Sequence, residues 1–400
     1  MQIPGTLAIK LAKAAETAVK KGHPWVFEQS IEKGPADAQP PGSLCVLFGQ
    51  RSNKPFAFGL WDPAEVVRIK IIDRSRGLNF NEEFLSAQLE KAFILRKPLL
   101  ERVTGYRAVH GENDGFPGIV LDVYDKTGVF KIYSEIWTPY LGILLPLISK
   151  IFHLDRLVFR RSRKLMDNRQ IPYREGEVIG KALLDEKVQF EEYGVSFLAN
   201  PVSGHKTGFF LDQRPNRYWV QQHARNKVVL DVFSYVGGFG IHALKGGAAS
   251  LTSLDISAQA MEVARENILL NNLDSEKWNP IVGDAFTEMS RLIQEKSTFD
   301  VVILDPPSFA KQASEVPAAL RQYERLAQMG AALTAKNGYL ILSSCSSRIS
   351  MEEFKKAHRK AFGGIEKWQI VKEVYHDVDH PVTFPEAQYL KTVIYRKRRE

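Results

Sequence analysis

The chain has 400 residues, of which 44% are hydrophobic and 25% charged, as in a globular protein of two or three domains. The formal net charge of +8 favours a polyanionic partner such as RNA without requiring one. No apolar run is long enough for a membrane span, no secretory signal opens the chain, and two cysteines suffice for neither a disulfide framework nor a structural zinc site. We therefore expect a cytoplasmic protein without a metal.

Residues 1–75 are predicted to form a small β-rich domain. Apolar or β-branched runs at Leu44–Phe48, Phe56–Leu60 and Val66–Ile72 are separated by Gly, Pro and Asn, which is typical of short strands. Cys45 lies in the first of these runs, where we expect it to be part of the core. The polar stretch Asp73–Glu83 indicates a linker.

Residues 76–195 are predicted to form an α+β middle domain. Apolar spacing at Phe84–Leu100 and Leu141–Phe152 indicates two helices. Ile119–Tyr124 and Val129–Tyr133 are predicted to be the strands of a hairpin, and Leu157–Arg160 a further strand. The pattern leaves the strand order open.

From residue 196 to 400, strands and helices alternate, which predicts a mostly parallel, Rossmann-like α/β sheet with helices on both faces. The predicted strands are Val228–Phe233, Ala249–Ile256, Pro280–Val282, Phe299–Leu304 and Gly338–Ser343. The predicted helices are Gln259–Asn271, one starting near Ala285, and Ala318–Ala335.

Glycines or carboxylates follow four of these strands, at the edge where open parallel sheets bind ligands. The glycine-rich turn Phe233–Gly238 comes first, although its spacing departs from GxGxxG. Asp255, Asp284 and Asp305 follow the next three strands. Any one of them could be only a helix N-cap, but the ordered set predicts a nucleoside site, with Asp255 at the ribose and Asp284 at the base. No phosphate-binding GxxxxGK[ST] loop is present.

Two segments at this edge could carry chemistry. Asp305 opens DPPSF, in which Pro306 and Pro307 stiffen the turn and Phe309 could stack on a base. Cys345, in SSCSS, directly follows the last predicted strand. Its thiol is either a nucleophile or a small buried hydrophobe, and the pattern alone leaves both readings open.

With these motifs, the chain resembles the class I methyltransferases. More narrowly, it is similar to the RlmI-like family of bacterial 23S rRNA large-subunit cytosine-5 methyltransferases, and the similarity runs nearly end to end. The segments that carry it are KKGHPWVFEQSI (Lys20–Ile31), GENDGFPGIVLDVYD (Gly111–Asp125), GHKTGFFLDQRPNR (Gly204–Arg217), VLDVFSYVGGFG, LDPPSFAK, SSCSS and DHPVTFPEAQYLKTVIYR.

The resemblance implies a PUA-like RNA-binding domain over 1–75, a methyltransferase domain with a seven-stranded sheet over 196–400, S-adenosylmethionine as cofactor and ribosomal RNA as partner. It places Asp255 at the ribose and Asp284 with Ala285 at the adenine, and Ile256 and Asp305 also border the cofactor. The residues it implies at the methionine end are Asp212, Arg214, Phe233, Ser234, Tyr235, Gly237 and Gly238.

The family chemistry implied for Cys345 is covalent. A thiolate adds to carbon 6 of cytosine, and carbon 5 then attacks a sulfonium methyl group, while Asp305 orients the base. Many RNA cytosine-5 enzymes have a second cysteine where this chain has Ser308, so the release of the product cannot rely on another thiol here.

RNA contacts are expected from Pro306, Pro307 and Phe309 at the base and from Lys20, Lys21 and Trp25 in the first domain. The basic runs Arg161–Lys164 and Arg396–Arg399 are further candidates for phosphate contacts, or are solvated charged faces. A homodimer is left open.

Two other functions are compatible with the motifs. One is methylation of an exocyclic amine of adenine or guanine, which fits less well because Ser308 separates the prolines from Phe309. The other is a non-catalytic RNA-binding assembly factor, which the intact glycines and aspartates disfavour.

Overall fold

The computed structural model describes residues 4–35, 38–204, 206–364 and 366–398. The chain forms two compact units whose borders differ from the three predicted domains, and the domain bounds stay a prediction. The first unit comprises Met1–Glu191, Ala199–Leu211 and Val378–Pro385, and the second comprises Glu192–Leu198, Asp212–Asp377 and Glu386–Glu400.

A six-stranded sheet forms the first part of the first unit, with the order β2-β6-β5-β4-β1-β3. Its elements are β1 (Thr6–Leu11), α1 (Lys13–Lys20), β2 (Trp25–Phe27), β3 (Ile31–Lys33), β4 (Leu44–Phe48), β5 (Pro55–Trp61) and β6 (Val67–Asp73). Along β4, buried and half-buried residues alternate, so that Cys45 and Leu47 face the core. Cys45 is 0% exposed, which confirms its predicted core position.

A five-stranded sheet follows in the same unit, with the order β11-β10-β9-β8-β7. Its elements are α2 (Glu82–Arg96), β7 (Gly105–His110), β8 (Ile119–Tyr124), β9 (Thr127–Ile132), α3 (Leu141–Ile151), β10 (Arg156–Arg161) and β11 (Glu177–Gly180). β8 and β9 pair antiparallel, which confirms the predicted hairpin.

The GENDGFPG segment (Gly111–Gly118) connects β7 to β8 in this sheet and is held by hydrogen bonds. Arg96 is fully buried and its guanidinium donates to both carboxylate oxygens of Asp114, at 2.7 Å each. Asp114 also accepts the backbone N–H of His110 at 2.6 Å. Gly115 (φ 78°) ends the turn in the left-handed region that favours glycine. The segment therefore holds α2 against the end of β7.

Two strands, β12 (Val188–Glu192) and β13 (Val195–Ala199), lead the chain into the second unit. There a seven-stranded sheet has the order β16-β15-β14-β17-β18-β20-β19. Its strands are β14 (Val228–Val232), β15 (Ser250–Asp255), β16 (Trp278–Val282), β17 (Phe299–Leu304), β18 (Thr334–Ser344), β19 (Trp368–Val374) and β20 (Lys391–Lys397). The helices are α4 (Arg214–His223), α5 (Gly238–Lys245), α6 (Ala258–Leu270), α7 (Ala285–Gln294), α8 (Val316–Leu333) and α9 (Met351–Ala361).

The first five strands of this sheet run parallel, as predicted, whereas β20 is antiparallel to both of its neighbours. Because Val232 pairs with Leu304 and Leu304 with Leu342, the carboxyl ends of β14, β17 and β18 reach the same edge. The segments that follow these strands are therefore neighbours. Within the described residues, no helix is long and apolar enough to cross a membrane.

Candidate active site

The turn after β14 is tightly folded. Phe233 (φ 62°), Tyr235 (φ 49°) and Gly237 (φ 83°) all adopt positive φ angles, which are costly for the two aromatic residues. The backbone N–H of Ser234 donates to the Leu254 carbonyl at 3.1 Å, and that of Gly237 donates to the Ser234 carbonyl at 2.8 Å. The turn is thereby pinned to β15 and delivers the chain directly into α5, which begins at Gly238.

Asp231 in β14 is hydrogen-bonded to the start of α5, just after this turn. Sequence reasoning did not select this residue. Its Oδ2 accepts the backbone N–H of Gly240 at 2.9 Å, whereas its Oδ1 has no hydrogen-bond partner among the described residues. Burial, assisted by the charges of Asp305 and Asp255, raises the pKa of Asp231 to about 8, so the neutral acid predominates at pH 7. An acidic residue inside an apolar strand, just before a glycine turn, was the available signal.

Asp255 lies at the end of β15 and faces the turn. One carboxylate oxygen accepts the N–H of Tyr235 at 2.8 Å, and the other accepts the N–H of Ser257 at 2.9 Å. Ile256, the next residue, is 76% exposed. A fixed carboxylate beside an exposed apolar side chain provides the two surfaces that a nucleoside needs, an acceptor for hydroxyls and a surface for the ring.

Asp284 is the N-cap of α7. Its Oδ1 accepts both the backbone N–H and the hydroxyl of Thr287 at 2.9 Å, and these hydrogen bonds lower its pKa. Ala285 is buried, and the Phe286 ring packs under the Arg325 guanidinium at 4.5 Å. The structure thus gives Asp284 a capping role, and its contact with a base stays a prediction.

The LDQR segment (Leu211–Arg214) contains two residues that we expect near the methionine end of the cofactor. One of them is deeply buried. Arg214 is 0% exposed, and its Nη1 donates to Asp377 at 2.8 Å. Asp212 is half-buried and accepts the Tyr389 hydroxyl at 2.9 Å. Both assignments stay predictions, and the ion pair gives Arg214 a structural role as well.

A buried cluster joins α4 and α5, and sequence reasoning missed it. Glu192 accepts two hydrogen bonds from Arg217, at 2.6 and 2.7 Å, and lies 2.9 Å from Nε2 of His242. Burial alone would raise the pKa of Glu192, but the charge and hydrogen bonds of Arg217 outweigh it and lower that pKa to about 2. α4, which begins at Arg214, is therefore fixed to α5, the helix that follows the glycine turn.

Asp305, the first residue after β17, is held by an amide network. Gln213 donates to its Oδ1 at 2.8 Å, and the Gln213 carbonyl oxygen accepts the Asn216 amide at 2.6 Å. Asn216 also donates to the Thr392 hydroxyl at 2.9 Å, which lies 2.8 Å from the Ser343 hydroxyl. Gln213 and Asn216 were not predicted, because only the fold brings them to Asp305.

Cys345 is half-buried and follows β18 at the same edge. The hydroxyls on either side of it are fully engaged in the fold, since Ser344 donates to the Tyr323 hydroxyl at 2.9 Å and Ser346 donates to the Ala310 carbonyl at 3.0 Å. Burial raises the pKa of Tyr323, and the charges of Cys345 and Asp305 raise it further. The Cys345 thiol is therefore not sealed in the interior, and it follows β18 at the edge where Asp305 follows β17.

The prolines and aromatic ring after Asp305 differ in exposure. Pro306 is buried and Pro307 is exposed. The half-buried Phe309 ring packs against Tyr323, with the ring centroids 5.0 Å apart. Pro307 is therefore the most accessible of the three, and the base contacts of all three stay predictions.

Lys391 also lies at this edge and was missed. It pairs with Ser344 in the antiparallel register of β18 and β20, and its side chain is almost fully buried. Its ammonium group donates to the carbonyls of Ser346 at 2.7 Å and Tyr389 at 2.9 Å. A lysine at the start of an apolar strand gave no signal of a buried charge.

In the first unit, the three residues expected to contact RNA differ in accessibility. Lys21 is exposed, and Lys20 pairs with Glu16 and lies over the Phe56 ring. Trp25 is half-buried: its indole N–H donates to Glu112 at 3.0 Å and its ring packs edge-on against Phe384. Packing therefore uses part of the Trp25 ring, and these RNA contacts stay predictions.

Residues of the two basic runs make hydrogen bonds, ion pairs or ring contacts within their own units. The Arg161 guanidinium donates to carbonyls of the following loop, among them Asn168 at 3.1 Å, and Lys164 pairs with Glu65 at 2.9 Å. Arg396 lies over the Tyr339 ring. Arg399 lies outside the described residues.

Comparison with known families agrees with this geometry. Residues 9–74 match the PUA-like domain family, and residues 161–355 match the S-adenosylmethionine-dependent methyltransferase family. A methyltransferase solved in complex with SAH has a TM-score of 0.83 at 21% identity, covering 98% of this chain and 99% of its own. A SAM-dependent methyltransferase from Streptococcus mutans has a TM-score of 0.82 at 20% identity, covering 97% and 99%. These two structures confirm the predicted fold.

Relatives with higher identity narrow the family. A ribosomal RNA large subunit methyltransferase of Deinococcus radiodurans is 36% identical, over 97% of this chain and 96% of its own length. Ribosomal RNA large subunit methyltransferase I of Aeromonas salmonicida is 33% identical, over 98% and 99%. The chain therefore belongs to the family of the S-adenosylmethionine-dependent ribosomal RNA large subunit methyltransferases I.

Proposed function

We propose that this protein methylates carbon 5 of a cytosine in 23S rRNA through a covalent adduct with Cys345. The observation that carries the proposal is the position of this half-buried thiol directly after β18, at the sheet edge where Asp305 follows β17 and Asp255 ends β15. The names of the relatives from Deinococcus radiodurans and Aeromonas salmonicida supply the class of substrate, ribosomal RNA of the large subunit.

The residues at the ends of β14 and β15 fit the cofactor. Asp255 would accept the ribose hydroxyls, Ile256 would cover one face of the adenine, and the turn Phe233–Gly238 would border the methionine portion. When bound, S-adenosylmethionine would supply an electrophilic methyl group on a sulfonium centre, and the electrons of the broken sulfur–methyl bond would remain on the sulfur.

Cys345 would activate the base. Carbon 5 of cytosine is a poor nucleophile until the thiolate forms a bond to carbon 6, which moves the ring electrons onto carbon 5. After carbon 5 has gained a methyl group, its proton is lost to solvent. The electrons of that C–H bond then restore the double bond and expel the thiolate of Cys345, which is ready for another turnover.

Asp305 would orient the base during these steps. Gln213 fixes the carboxylate by donating to Oδ1, so Asp305 would accept a hydrogen bond from the exocyclic amine of cytosine in a defined direction. Pro306 and Pro307 have no backbone N–H and restrict the turn. Because carbon 5 is hidden in duplex RNA, the target cytosine has to be single-stranded or flipped out.

Replacing the thiol tests the proposal. In a strain lacking the gene, we expect one 5-methylcytidine of 23S rRNA to disappear, as measured by nucleoside mass spectrometry of rRNA fragments. The wild-type gene should restore it and Cys345→Ala should not, because the alanine has no nucleophile. The matched control is Cys45→Ala, which removes a buried core sulfur and should restore the modification.

A mechanism-based probe examines the adduct itself. RNA that contains 5-azacytidine should form a complex with the wild-type protein that survives a denaturing gel, and Cys345→Ala should form none. Restoration of 5-methylcytidine by Cys345→Ala would exclude the thiol mechanism. Unchanged 5-methylcytidine in the deletion strain would exclude the proposed substrate.

A further inference from the structure

A buried lysine borders the proposed nucleophile. Lys391 is 2% exposed and stands opposite Ser344, the residue before Cys345, while its ammonium group donates to the carbonyl of Ser346, the residue after it. A second hydrogen bond, to the Tyr389 carbonyl, also holds the ammonium group in place. Both partners are neutral oxygens, so these bonds hold the positive charge in place without neutralising it.

We propose that Lys391 is a positioning residue for methyl transfer, whose clamped ammonium group holds Cys345 as the reactive thiolate. The inference rests on the proposed function, since a thiolate is needed only if Cys345 is the nucleophile. A nearby cation favours the thiolate because the two opposite charges attract in a site where little water screens them.

The charges around the site make this cation important. Glu353 of α9 and Asp305 after β17 are carboxylates near the site, and both disfavour an additional negative charge. The Tyr323 hydroxyl of α8 lies 2.9 Å from the hydroxyl of Ser344, the residue before Cys345, and burial raises the pKa of Tyr323, so it is neutral at pH 7. Lys391 therefore supplies the positive charge that offsets these carboxylates.

The ammonium itself remains charged under physiological conditions. Burial lowers the pKa of Lys391 to about 8, while the charges of Cys345 and Glu353 oppose this lowering. Below that value the protonated form predominates, so at pH 7 most molecules carry the cation. Without compensating interactions, a buried ammonium would be strongly destabilising.

Alkylation of Cys345 measures the thiolate directly, without RNA and without turnover. The full chain is treated with iodoacetamide between pH 5 and 10, and modification of the Cys345 peptide is followed by mass spectrometry. In Lys391→Gln, whose amide can still donate to the two carbonyls, we expect alkylation at pH 7 to be about tenfold slower than in the wild type. The two rates should converge at pH 10, where both thiols are ionised.

Two variants separate charge from packing. Lys391→Arg keeps the positive charge and should restore most of the rate at pH 7. Lys397→Gln is the matched control: Lys397, at the other end of β20, likewise donates to two carbonyls, those of Ala331 and Thr334. Its replacement should leave the alkylation profile unchanged.

Equal rates for Lys391→Gln and the wild type at pH 7 would overturn the proposal. If Lys391→Gln does not bind S-adenosylmethionine in calorimetry, the variant has lost its fold. The pH profile of Cys345 alkylation in the wild type is then the test. If the midpoint pH of Cys345 alkylation in the wild type equals the midpoint pH measured for glutathione, the proposal is also overturned. The proposed function fails separately, if Cys345→Ala still methylates RNA.

Discussion

Each carboxylate oxygen of Asp255 accepts one backbone N–H, from Tyr235 and from Ser257, so the side chain fixes the glycine turn beside the proposed cofactor site. In Asp255→Asn, an amide NH₂ would face one of these N–H groups, and a donor would replace an acceptor at the proposed ribose contact. We expect the Kd for S-adenosylmethionine, measured by calorimetry, to rise at least tenfold, because a hydrogen bond to a charged acceptor contributes about 1.5–3 kcal/mol.

Asp300 provides the control for this measurement. It also accepts a backbone N–H, from Val228 at 3.0 Å, but at the opposite end of the sheet. Asp300→Asn should bind the cofactor as the wild type does. If both variants bind alike, Asp255 does not contact the cofactor.

Which single residues the sequence could predict depended on where their partners lie along the chain. Asp255 ends a strand, and Asp305 and Cys345 directly follow strands, so the position of each at the sheet edge follows from local pattern. The network that holds Asp305 joins Asn216 to Thr392, 176 positions later, and the Lys391 clamp joins two segments 45 positions apart. No local pattern encodes such pairs, and the sequence therefore missed them.

At the scale of elements, the entry into α5 depends on one glycine. Gly237 has φ +83°, and a Cβ atom there would lie 2.9 Å from Cδ1 of Ile241 and 3.1 Å from Cβ of Ala264. Gly237→Ala should therefore incur both backbone strain and overpacking between α5 and α6. We expect the free energy of unfolding, from urea titration, to fall by about 2–4 kcal/mol.

Gly247 is a control with nearly the same backbone angle. Its φ is +86°, but a Cβ atom there would meet nothing closer than 3.7 Å. Gly247→Ala should therefore lose only about 1–2 kcal/mol, from strain alone. If both variants lose the same free energy of unfolding, the contacts between α5 and α6 relax without cost, and the overpacking argument is wrong.

The elements of the second unit were predictable where the βα rhythm is regular. β14 and β17 are mainly apolar runs with one aspartate each, as in a parallel sheet covered on both faces. β19 was not predicted, because its five inner residues are exposed and show no apolar alternation. The order of the five-stranded sheet was equally out of reach, since it depends on pairing between segments far apart in sequence.

At the scale of the whole molecule, the net charge of +8 bears on substrate binding. If about four phosphates are neutralised, raising KCl from 50 to 200 mM should weaken RNA binding roughly a hundredfold, because bound counterions are released. Fluorescence anisotropy with a labelled 23S rRNA fragment measures this effect. Binding of S-adenosylmethionine should change far less over the same range, and an equally small change for RNA would argue against phosphate contacts.

The last strand in sequence is an inner strand of the sheet, since β20 lies between β18 and β19, and it begins with Lys391. A fragment that stopped at Val374 would contain the glycine turn, Asp255, Asp305 and Cys345, yet it would leave the edge of β18 unpaired. Such a fragment could not complete the sheet, and it would lack Lys391 itself. If Lys391 holds Cys345 as the thiolate, as we propose, folding and reactivity are coupled, because the thiol would gain its cation only when the sheet is whole.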